Sequence, residues 1–198
     1  LGSAGVTHDI SGAMVGQFVE RLDFDLTDAQ QRVIAELLDD MARPAPMHRL
    51  LQGDVGSGKT VVAVAVLLTA VQGGHQGAFM APTEVLADQH HLGVAELLNG
   101  MTVPDPSTLL GSRPLLVALL TSRTTAGERR RIVDGLAAGT VDVLIGTHAL
   151  IQEGVEFASL GAVVIDEQHR FGVEQRAALR EKNRDETVAD VLVMTATP

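Results

Sequence analysis

The chain of 198 residues contains no cysteine and no long apolar run. Without cysteine it can form neither a disulfide nor a thiolate metal site, and nothing in it requires an oxidising compartment. Its longest apolar stretches, residues 61–68 and 115–120, are far shorter than the run of about 20 apolar residues that crosses a bilayer. We therefore expect a cytoplasmic protein with no membrane-spanning segment.

Basic residues are also few. The chain has 15 lysines and arginines against 25 aspartates and glutamates, for a formal net charge of −10. Binding to a nucleic-acid backbone depends on Lys and Arg that displace counterions, so the whole-chain balance disfavours it. A local groove of donors would nevertheless be enough, and acidic residues can lie on the far face. The charge therefore leaves nucleic-acid binding open.

Apolar residues make up 45% of the chain and charged residues 20%, which is typical of one globular domain with a full hydrophobic core. The chain opens on Leu1 and ends at Pro198 directly after an apolar run, so we expect it to be a piece of a longer protein. Residues 1–16 carry no stable periodicity. We take residues 1–25 as a lead-in segment and residues 26–198 as the domain.

The spacing of apolar residues predicts an α/β fold. From Thr27 to Met41 they recur at helical spacing, and Pro44 then ends the pattern. Short continuous apolar runs follow, alternating with helix-like stretches, as in a mostly parallel sheet with helices on both faces. The runs predict buried strands near 49–52, 78–81, 115–120, 141–145, 162–165 and 191–194, with helices near 60–71, 84–98, 128–138 and 173–182. The proline-rich stretch 100–114 is expected to be a surface loop.

A G-x-x-x-x-G-K-T motif follows the first strand-like run and precedes an apolar helix. Its residues are Gly53, Asp54, Val55, Gly56, Ser57, Gly58, Lys59 and Thr60. Glycines let several N–H groups face a phosphate chain at a helix N-terminus, the lysine adds a positive charge, and the threonine offers a hydroxyl to Mg²⁺. The motif therefore predicts a triphosphate-binding loop, and the alternative is a Gly-rich turn that only caps the helix.

Two adjacent carboxylates, Asp166 and Glu167, follow the apolar run 163–165. The carboxyl ends of strands are where open α/β sheets bind ligands. In a P-loop enzyme Asp166 would hold Mg²⁺ and Glu167 would orient or deprotonate the attacking water. An ordinary solvated turn is the alternative for this pair taken alone.

Gln30 has two interpretations. In the sequence Thr27-Asp-Ala-Gln30 it fits a capping box, in which the side chain at the third helical position bonds back to the cap backbone. Its amide could equally satisfy the donor and acceptor pair on an adenine edge. A second capping box is predicted at Thr125 and Glu128, with the basic run 129–131 on a solvated helix face. The histidines have no spacing of a metal pair, so we predict no transition-metal site.

With these motifs the chain resembles superfamily 2 helicases, and more closely the RecG-type ATP-dependent DNA helicases of bacteria. The resemblance covers most of residues 22–198. Related translocases of transcription-repair coupling and of the primosome usually carry Asp-Glu-Glu-His where this chain has Asp-Glu-Gln-His at 166–169, and residues 170–176 also favour the RecG type. The segments that carry the resemblance are 26–30, 53–60, 81–90, 146–150, 166–169 and 195–198.

The resemblance implies a RecA-like P-loop NTPase domain that uses ATP and Mg²⁺. The family couples ATP hydrolysis to remodelling of branched DNA, such as stalled forks and Holliday junctions, in DNA repair and recombination. It implies that Gln30 contacts adenine, that Lys59 and Thr60 serve the phosphates and Mg²⁺, and that Asp166 and Glu167 serve the metal and the water. It further implies a coupling role for Gln168, His169, Thr195 and Thr197, and contacts to the nucleic-acid backbone from Pro82, Thr83, Glu84, Gly146, Thr147 and His148.

Two features depart from the family's pattern. The loop 102–113 is longer and richer in proline, and Ser122-Arg123 stands where a Gly-Ser pair is usual. The threonines at 195 and 197 could also be small hydroxyls that end a buried strand.

The resemblance implies as partners branched DNA, a second RecA-like domain and a wedge domain of the full-length protein. The second domain would supply an arginine finger, so we expect this chain alone, as a monomer, to hydrolyse ATP weakly. Two other functions stay open, a regulatory ATP-binding module that does not move DNA and an RNA-acting superfamily 2 helicase.

Overall fold

The computed structural model describes residues 4–53, 58–166, 174, 178, 182–183 and 187–196. Within that part, strands and helices alternate from the second helix to the fourth, and three consecutive strands then precede the fifth helix. The helices are α1 (Met14–Glu20), α2 (Asp28–Met41), α3 (Lys59–Gln72), α4 (Glu84–Leu98), α5 (Ala126–Ala138) and a 3-10 helix (His148–Ile151). The strands are β1 (His48–Gln52), β2 (Gln76–Met80), β3 (Thr102–Pro104), β4 (Ser112–Pro114), β5 (Val117–Leu120), β6 (Val143–Gly146), β7 (Leu160–Asp166) and β8 (Asp190–Thr195).

Six of these strands form one sheet in the order β1-β8-β7-β2-β6-β5. Every neighbouring pair in it is parallel. The predicted α/β class and the predicted parallel sheet are therefore confirmed. Each predicted strand position corresponds to one strand of this sheet, whereas the order of the strands follows from packing and was not predicted.

Side chains alternate along the central strands between two apolar clusters. Phe79, Val164 and Leu192 face the cluster that contains nearly all of α3, together with parts of α1, α2 and α4. Ala78 and Val163, one position away, face the cluster that includes Leu136 of α5, Leu150 and Phe157. This alternation is the period-2 geometry of a strand with both faces covered. The sheet is thus a middle layer, and the apolar helix predicted at 60–71 is buried against it as α3.

The prediction of six buried strands is wrong for β1 and holds only in part for β5, whose first three residues are half-buried. His48, Arg49, Leu50 and Gln52 are exposed, and only Leu51 is partly buried. β1 lies at the edge of the sheet and pairs only with β8, so it has fewer neighbours than a central strand has. The apolar run at 49–52 marked a real strand, but the pattern does not tell an edge strand from a central one.

The expectation of a surface loop at 100–114 is also wrong in part. Residues Thr102–Pro104 and Ser112–Pro114 pair as an antiparallel hairpin. Arg113 connects this hairpin to the main sheet, because it donates two hydrogen bonds to the carboxylate of Asp142, at 2.7 and 2.9 Å. The tip carries Leu109 and Leu110, which are almost fully exposed. An ion pair between distant residues thus shapes a segment that looked irregular in the sequence.

Part of the segment without sequence periodicity is ordered against the core. Met14, Val15 and Phe18 of α1 are buried, and α1 packs against α3. His8 is buried beside Asp190, with Nε2 2.9 Å from a carboxylate oxygen. Seven residues of helix are too few for a clear periodic pattern, which is why the sequence did not indicate α1.

The two predicted capping boxes are both present. Thr27 accepts a hydrogen bond from the Gln30 N–H at the start of α2, and Thr125 does the same for Glu128 at the start of α5. The helix predicted at 173–182 falls mostly outside the described residues. In the part of the chain that can be described, no helix is long and apolar enough to cross a membrane.

Candidate active site

The predicted site residues lie at the carboxyl ends of the parallel strands, and the strand order divides them into two groups. Of three neighbouring strands, β1 ends one residue before Gly53, β8 ends at Thr195 and β7 ends at Asp166. The neighbouring strands β2, β6 and β5 lead into residues 81–84, 146–148 and 121–123. One edge of the sheet therefore carries two groups of residues. On one side are the residues expected to bind phosphate and Mg²⁺, and on the other are the segments expected to contact nucleic acid.

Lys59 joins two of these strand ends. Its Nζ donates to the carbonyl of Gly53 at 2.9 Å and to the carbonyl of Thr195 at 3.2 Å. The N–H of Gly53 also donates to the Thr195 carbonyl, at 3.2 Å. The ammonium group is thus held between Gly53 and Thr195 by main-chain oxygens, and Thr60 follows Lys59 in the first turn of α3. Thr195 is the last residue of β8, and its hydroxyl donates to the carbonyl of Ala196 at 3.1 Å.

Gln30 lies beside Gly58 as well as in its capping box. Its Oε1 accepts the Thr27 N–H at 2.9 Å. Its Nε2 lies against Gly58, the residue before α3, which has a φ of +80°. The capping interpretation of Gln30 is therefore confirmed, and its contact with an adenine stays a prediction.

Asp166 ends β7 and is hydrogen-bonded to a histidine that the sequence did not indicate. His90 Nε2 lies 2.6 Å from Asp166 Oδ2. The ring of His90 packs on the ring of Phe79, with the centroids 4.5 Å apart and the planes 30° apart. The helical period could have pointed to His90, because it falls between the buried residues Ala87 and Val94 on the inner face of α4.

The two segments predicted to contact a nucleic-acid backbone are adjacent. The Ala81 N–H donates to the Gly146 carbonyl at 2.8 Å, which joins the ends of β2 and β6. Gly146 has no room for a side chain, because a β-carbon there would overlap the Leu120 carbonyl. Thr147 is buried, whereas His148 and Thr83 are exposed. Thr83 also caps α4 by accepting the Leu86 N–H at 3.2 Å.

Glu84 is paired within the protein. Its carboxylate accepts the Ser122 N–H at 3.1 Å and the Ser122 hydroxyl, and it lies 3.0 Å from Arg123 Nε. The hydrogen bond from the Ser122 hydroxyl, together with those from the Ser122 N–H and the charge of Arg123, lowers the pKa of Glu84 below its ordinary value, and burial opposes this effect without cancelling it. Arg123 also binds Asp88, with 2.6 Å between its NH2 group and Oδ2. The unusual Ser-Arg pair thus joins the end of β5 to the start of α4.

Several predicted residues lie outside the described part of the chain. They are Asp54, Val55, Gly56 and Ser57 of the glycine loop, and Glu167, Gln168, His169 and Thr197. Among the described residues, no group of three or more His, Asp or Glu side chains could hold a metal ion by itself.

Comparisons with known proteins by sequence and by structure both find helicases. A family model described as DEAD/DEAH box helicase matches residues 27–198. The ATP-dependent DNA helicase RecG of Synechocystis sp. is 51% identical over 187 residues, which are 94% of this chain and 21% of that protein. The RecG of Bacillus subtilis is 48% identical over 194 residues, which are 98% of this chain and 26% of that protein. The chain therefore spans about a quarter of the length of these relatives.

A solved structure of RecG bound to a three-way DNA junction superimposes on the chain with a TM-score of 0.83 and 44% identity, covering 98% of this chain and 24% of that one. The structure of the DUF1998 helicase MrfA superimposes with a TM-score of 0.67 over 92% of this chain and 29% of that one. At 16% identity this second likeness shows the fold alone.

Proposed function

Because the chain belongs to the DEAD/DEAH box helicase family, we propose that it is the ATP-binding half of the motor of a DNA helicase that remodels branched DNA. Members of this family use ATP. The observation that carries the DNA part of the proposal is the likeness, at 44% identity, to RecG bound to a three-way DNA junction. The arrangement of the strand ends also supports it, because the residues expected to bind phosphate lie on one side and the segments expected to contact nucleic acid lie on the other.

In this proposal the glycine loop binds the nucleotide. Residues Gly53, Asp54, Val55, Gly56, Ser57 and Gly58 cradle the phosphates, and Gln30 contacts the adenine. Lys59 donates to the carbonyls of Gly53 and Thr195, and it would exchange these neutral acceptors for phosphate oxygens. Charge-assisted bonds to phosphate are stronger than bonds to neutral carbonyls, so this exchange favours the nucleotide.

The residues present fit a magnesium ion. Thr60 is the second residue of α3, directly after the glycine motif, and Asp166 ends β7, so one element would supply a hydroxyl and the other a carboxylate. Bound Mg²⁺ would neutralise charge on the phosphates during transfer. Hard oxygen ligands of this kind are those that Mg²⁺ prefers. Glu167, next to Asp166, would orient the attacking water and accept its proton.

The other strand ends would follow the DNA backbone. Thr83 and His148 are exposed and can donate hydrogen bonds, and the N-terminus of α4 carries the positive end of a helix dipole. These contacts would be positioned by Pro82, Glu84, Gly146 and Thr147. Glu84 and Thr147 would act indirectly, because Glu84 is paired within the protein and Thr147 is buried. Gln168, His169, Thr195 and Thr197 would couple hydrolysis to movement. Contacts through hydroxyls and helix ends need little positive charge, which suits a chain of net charge −10.

The full-length protein would add a second RecA-like domain and a wedge domain, since the chain spans about a quarter of its relatives. The test is ATP hydrolysis by the full-length protein with and without a synthetic forked DNA. We expect strong stimulation by the fork, and its loss in Glu167→Gln but not in Glu96→Gln, an exposed glutamate on α4.

Absence of stimulation with intact nucleotide binding would indicate a regulatory ATP-binding module. Equal stimulation by duplex RNA in a competition assay would indicate an RNA-acting helicase. An unaffected Glu167→Gln variant would remove the assigned role of that carboxylate.

A further inference from the structure

Helix α4 crosses the boundary between the two groups of strand ends. It begins at Glu84, directly after the β2 segment on the nucleic-acid side, and its His90 bonds to Asp166 at the end of β7, on the nucleotide side. Because β7 and β2 are neighbours in the sheet, this is the point where the two groups meet. We propose that His90 is a positioning residue that orients Asp166 for Mg²⁺ and links this carboxylate to movement of α4. This inference rests on the proposed function.

The contact is short and largely withdrawn from solvent. The two polar atoms are 2.6 Å apart, and the side chains of His90 and Asp166 are only 16% and 14% exposed. A hydrogen bond in such surroundings is stronger than one in water. The ring of His90 is also held by Phe79, a fully buried residue of the central strand β2. Packing and hydrogen bonding together therefore restrict the direction of the imidazole.

The chemistry of the pair assigns the donor. An ionised carboxylate only accepts hydrogen bonds, so Nε2 of His90 carries the proton and donates it, and a neutral ring is sufficient. One oxygen of Asp166, Oδ2, is then engaged by the histidine. The other oxygen is the one left to a metal ion or its water. A histidine that fixes a metal-binding carboxylate in this way acts on the metal through its partner, and partners of that kind typically change metal affinity by about 10- to 100-fold.

The position of His90 on α4 links this effect to the other half of the site. Glu84 and His90 are separated by six residues of helix, a rise of about 9 Å. The N-terminus of α4 is bound to the β5 end through the contacts of Arg123 with Glu84 and Asp88. A nucleic acid that shifts this end of a rigid helix also shifts His90, and with it the direction of the Asp166 carboxylate. Through this movement of α4, the binding of DNA would change the affinity of the site for Mg²⁺.

The test compares three variants of the full-length protein. His90→Phe keeps a ring against Phe79 and removes the hydrogen bond. His90→Gln keeps an N–H donor of similar reach. His91→Ala changes the neighbouring histidine, which does not contact Asp166, and serves as the control. The measurements are the Mg²⁺ concentration for half-maximal binding of a fluorescent ATP analogue without DNA, the same quantity for ATP hydrolysis, and the stimulation by forked DNA.

We expect His90→Phe to raise the Mg²⁺ requirement about tenfold in both assays, to lower kcat more than it raises KM at saturating Mg²⁺, and to reduce the stimulation by DNA. His90→Gln should restore most of the Mg²⁺ affinity, and His91→Ala should match the unaltered protein. Nucleotide binding without Mg²⁺ should be the same in all four proteins. If His90→Phe only lowers the melting temperature and leaves the Mg²⁺ requirement unchanged, or if His91→Ala has the same effect, the proposal is wrong.

The binding assay separates this inference from the proposed function. If the unaltered protein shows no stimulation by DNA, the proposed function fails, while Mg²⁺-dependent nucleotide binding still reports whether His90 orients Asp166. If DNA stimulates every variant equally although the Mg²⁺ requirement of His90→Phe rises, the link through α4 is wrong and the orienting role stands.

Discussion

The amide nitrogen of Gln30 lies against the α-carbon of Gly58, at the place where a β-carbon on residue 58 would overlap it. Gly58 has a φ of +80° and is the last residue before α3. Left-handed backbone is easily reached only by glycine. The end of the phosphate loop and the N-terminus of α2 thus meet at a residue whose backbone angle and missing side chain are both required.

Gly58→Ala should therefore weaken both stability and nucleotide binding. The left-handed conformation costs a residue with a β-carbon about 1–2 kcal/mol, and the added methyl group would displace the Gln30 amide. We expect urea unfolding of the chain to show a loss of about this size, together with weaker binding of a fluorescent ATP analogue. Gly127→Ala is the control, because no heavy atom outside its neighbours lies within 4 Å of a β-carbon there and the residue is helical. It should be neutral or stabilising by up to about 1 kcal/mol. Equal behaviour of the two variants would contradict the assignment.

Features that depend on residues close together in sequence could be predicted. Both capping boxes are of this kind, and so is the place of Asp166 at the end of a strand. The glycine motif follows β1 and precedes α3, as its sequence context indicated. The role of these residues in binding a nucleotide stays a prediction.

Contacts between distant segments were not predictable in the same way. His90 and Asp166 are 76 positions apart, and their hydrogen bond depends on β7 and β2 being neighbours, which the hydrophobic pattern does not determine. The hairpin at 102–114 depends likewise on Arg113 reaching Asp142, 29 positions away. The exposure of β1 follows from its place at the sheet edge. Strand order depends on how the whole domain packs, so features that depend on strand order could not be predicted from the sequence.

Gln76 joins three separate segments at the other end of the sheet and should be important for stability. Its Nε2 donates to the carbonyls of Leu136 and Val141 at 3.0 and 2.9 Å, and its Oε1 accepts the Ser159 N–H at 2.9 Å. The side chain is buried, so Gln76→Ala would leave three main-chain groups without these partners. Urea unfolding should show a loss of about 2–4 kcal/mol.

Gln76→Glu gives a sharper version of this test. It keeps the shape of the side chain but replaces the donor with an oxygen that faces the two carbonyls, so at neutral pH it should be at least as destabilising as alanine. Gln89→Ala, at an exposed position of α4, should stay within about 0.5 kcal/mol of the unaltered chain. A Gln76 variant that behaves like Gln89→Ala would show that solvent replaces the lost bonds.

The ion pair between Asp40 and Arg49 should make stability depend on pH. Asp40 lies in the last turn of α2 and Arg49 is in β1, and the hydrogen bond from Arg49 sets the pKa of Asp40 below its ordinary value. A carboxyl whose pKa is lower in the folded state stabilises the fold above its unfolded pKa of about 3.9, and this contribution is lost as the pH falls through the folded pKa. Asp40→Asn should lower the melting temperature by roughly 1–3 °C at pH 7, and the difference should shrink below about pH 4.

Asp39→Asn is the control for that series, since Asp39 is exposed on the same helix. Its melting temperature should follow that of the unaltered chain across the range. A difference between Asp40→Asn and the unaltered chain that stays constant down to about pH 3 would mean that packing, and not the charge of Asp40, is responsible.

Arg123 should support DNA binding without serving the nucleotide. Its guanidinium lies between the carboxylates of Glu84 and Asp88, at 3.0 and 2.6 Å, beside the segments that we propose to follow the DNA backbone. Arg123→Ala removes the positive charge and leaves both carboxylates uncompensated at that surface. Because affinity for DNA depends strongly on local charge at low salt, we expect several-fold weaker binding of a forked DNA at about 50 mM salt, and a smaller difference at about 200 mM. Nucleotide binding in the absence of DNA should not change.

Arg130→Ala removes the same charge from an exposed position of α5 and separates the local effect from that of net charge. It should weaken binding of the forked DNA much less than Arg123→Ala. Arg123→Lys keeps the charge but loses the planar group that reaches two carboxylates at once, so it should recover part of the affinity. If Arg123→Ala and Arg130→Ala weaken DNA binding equally, the surface beside α4 has no special part in it. The acidic chain would then depend on other domains of the full-length protein for its contact with DNA.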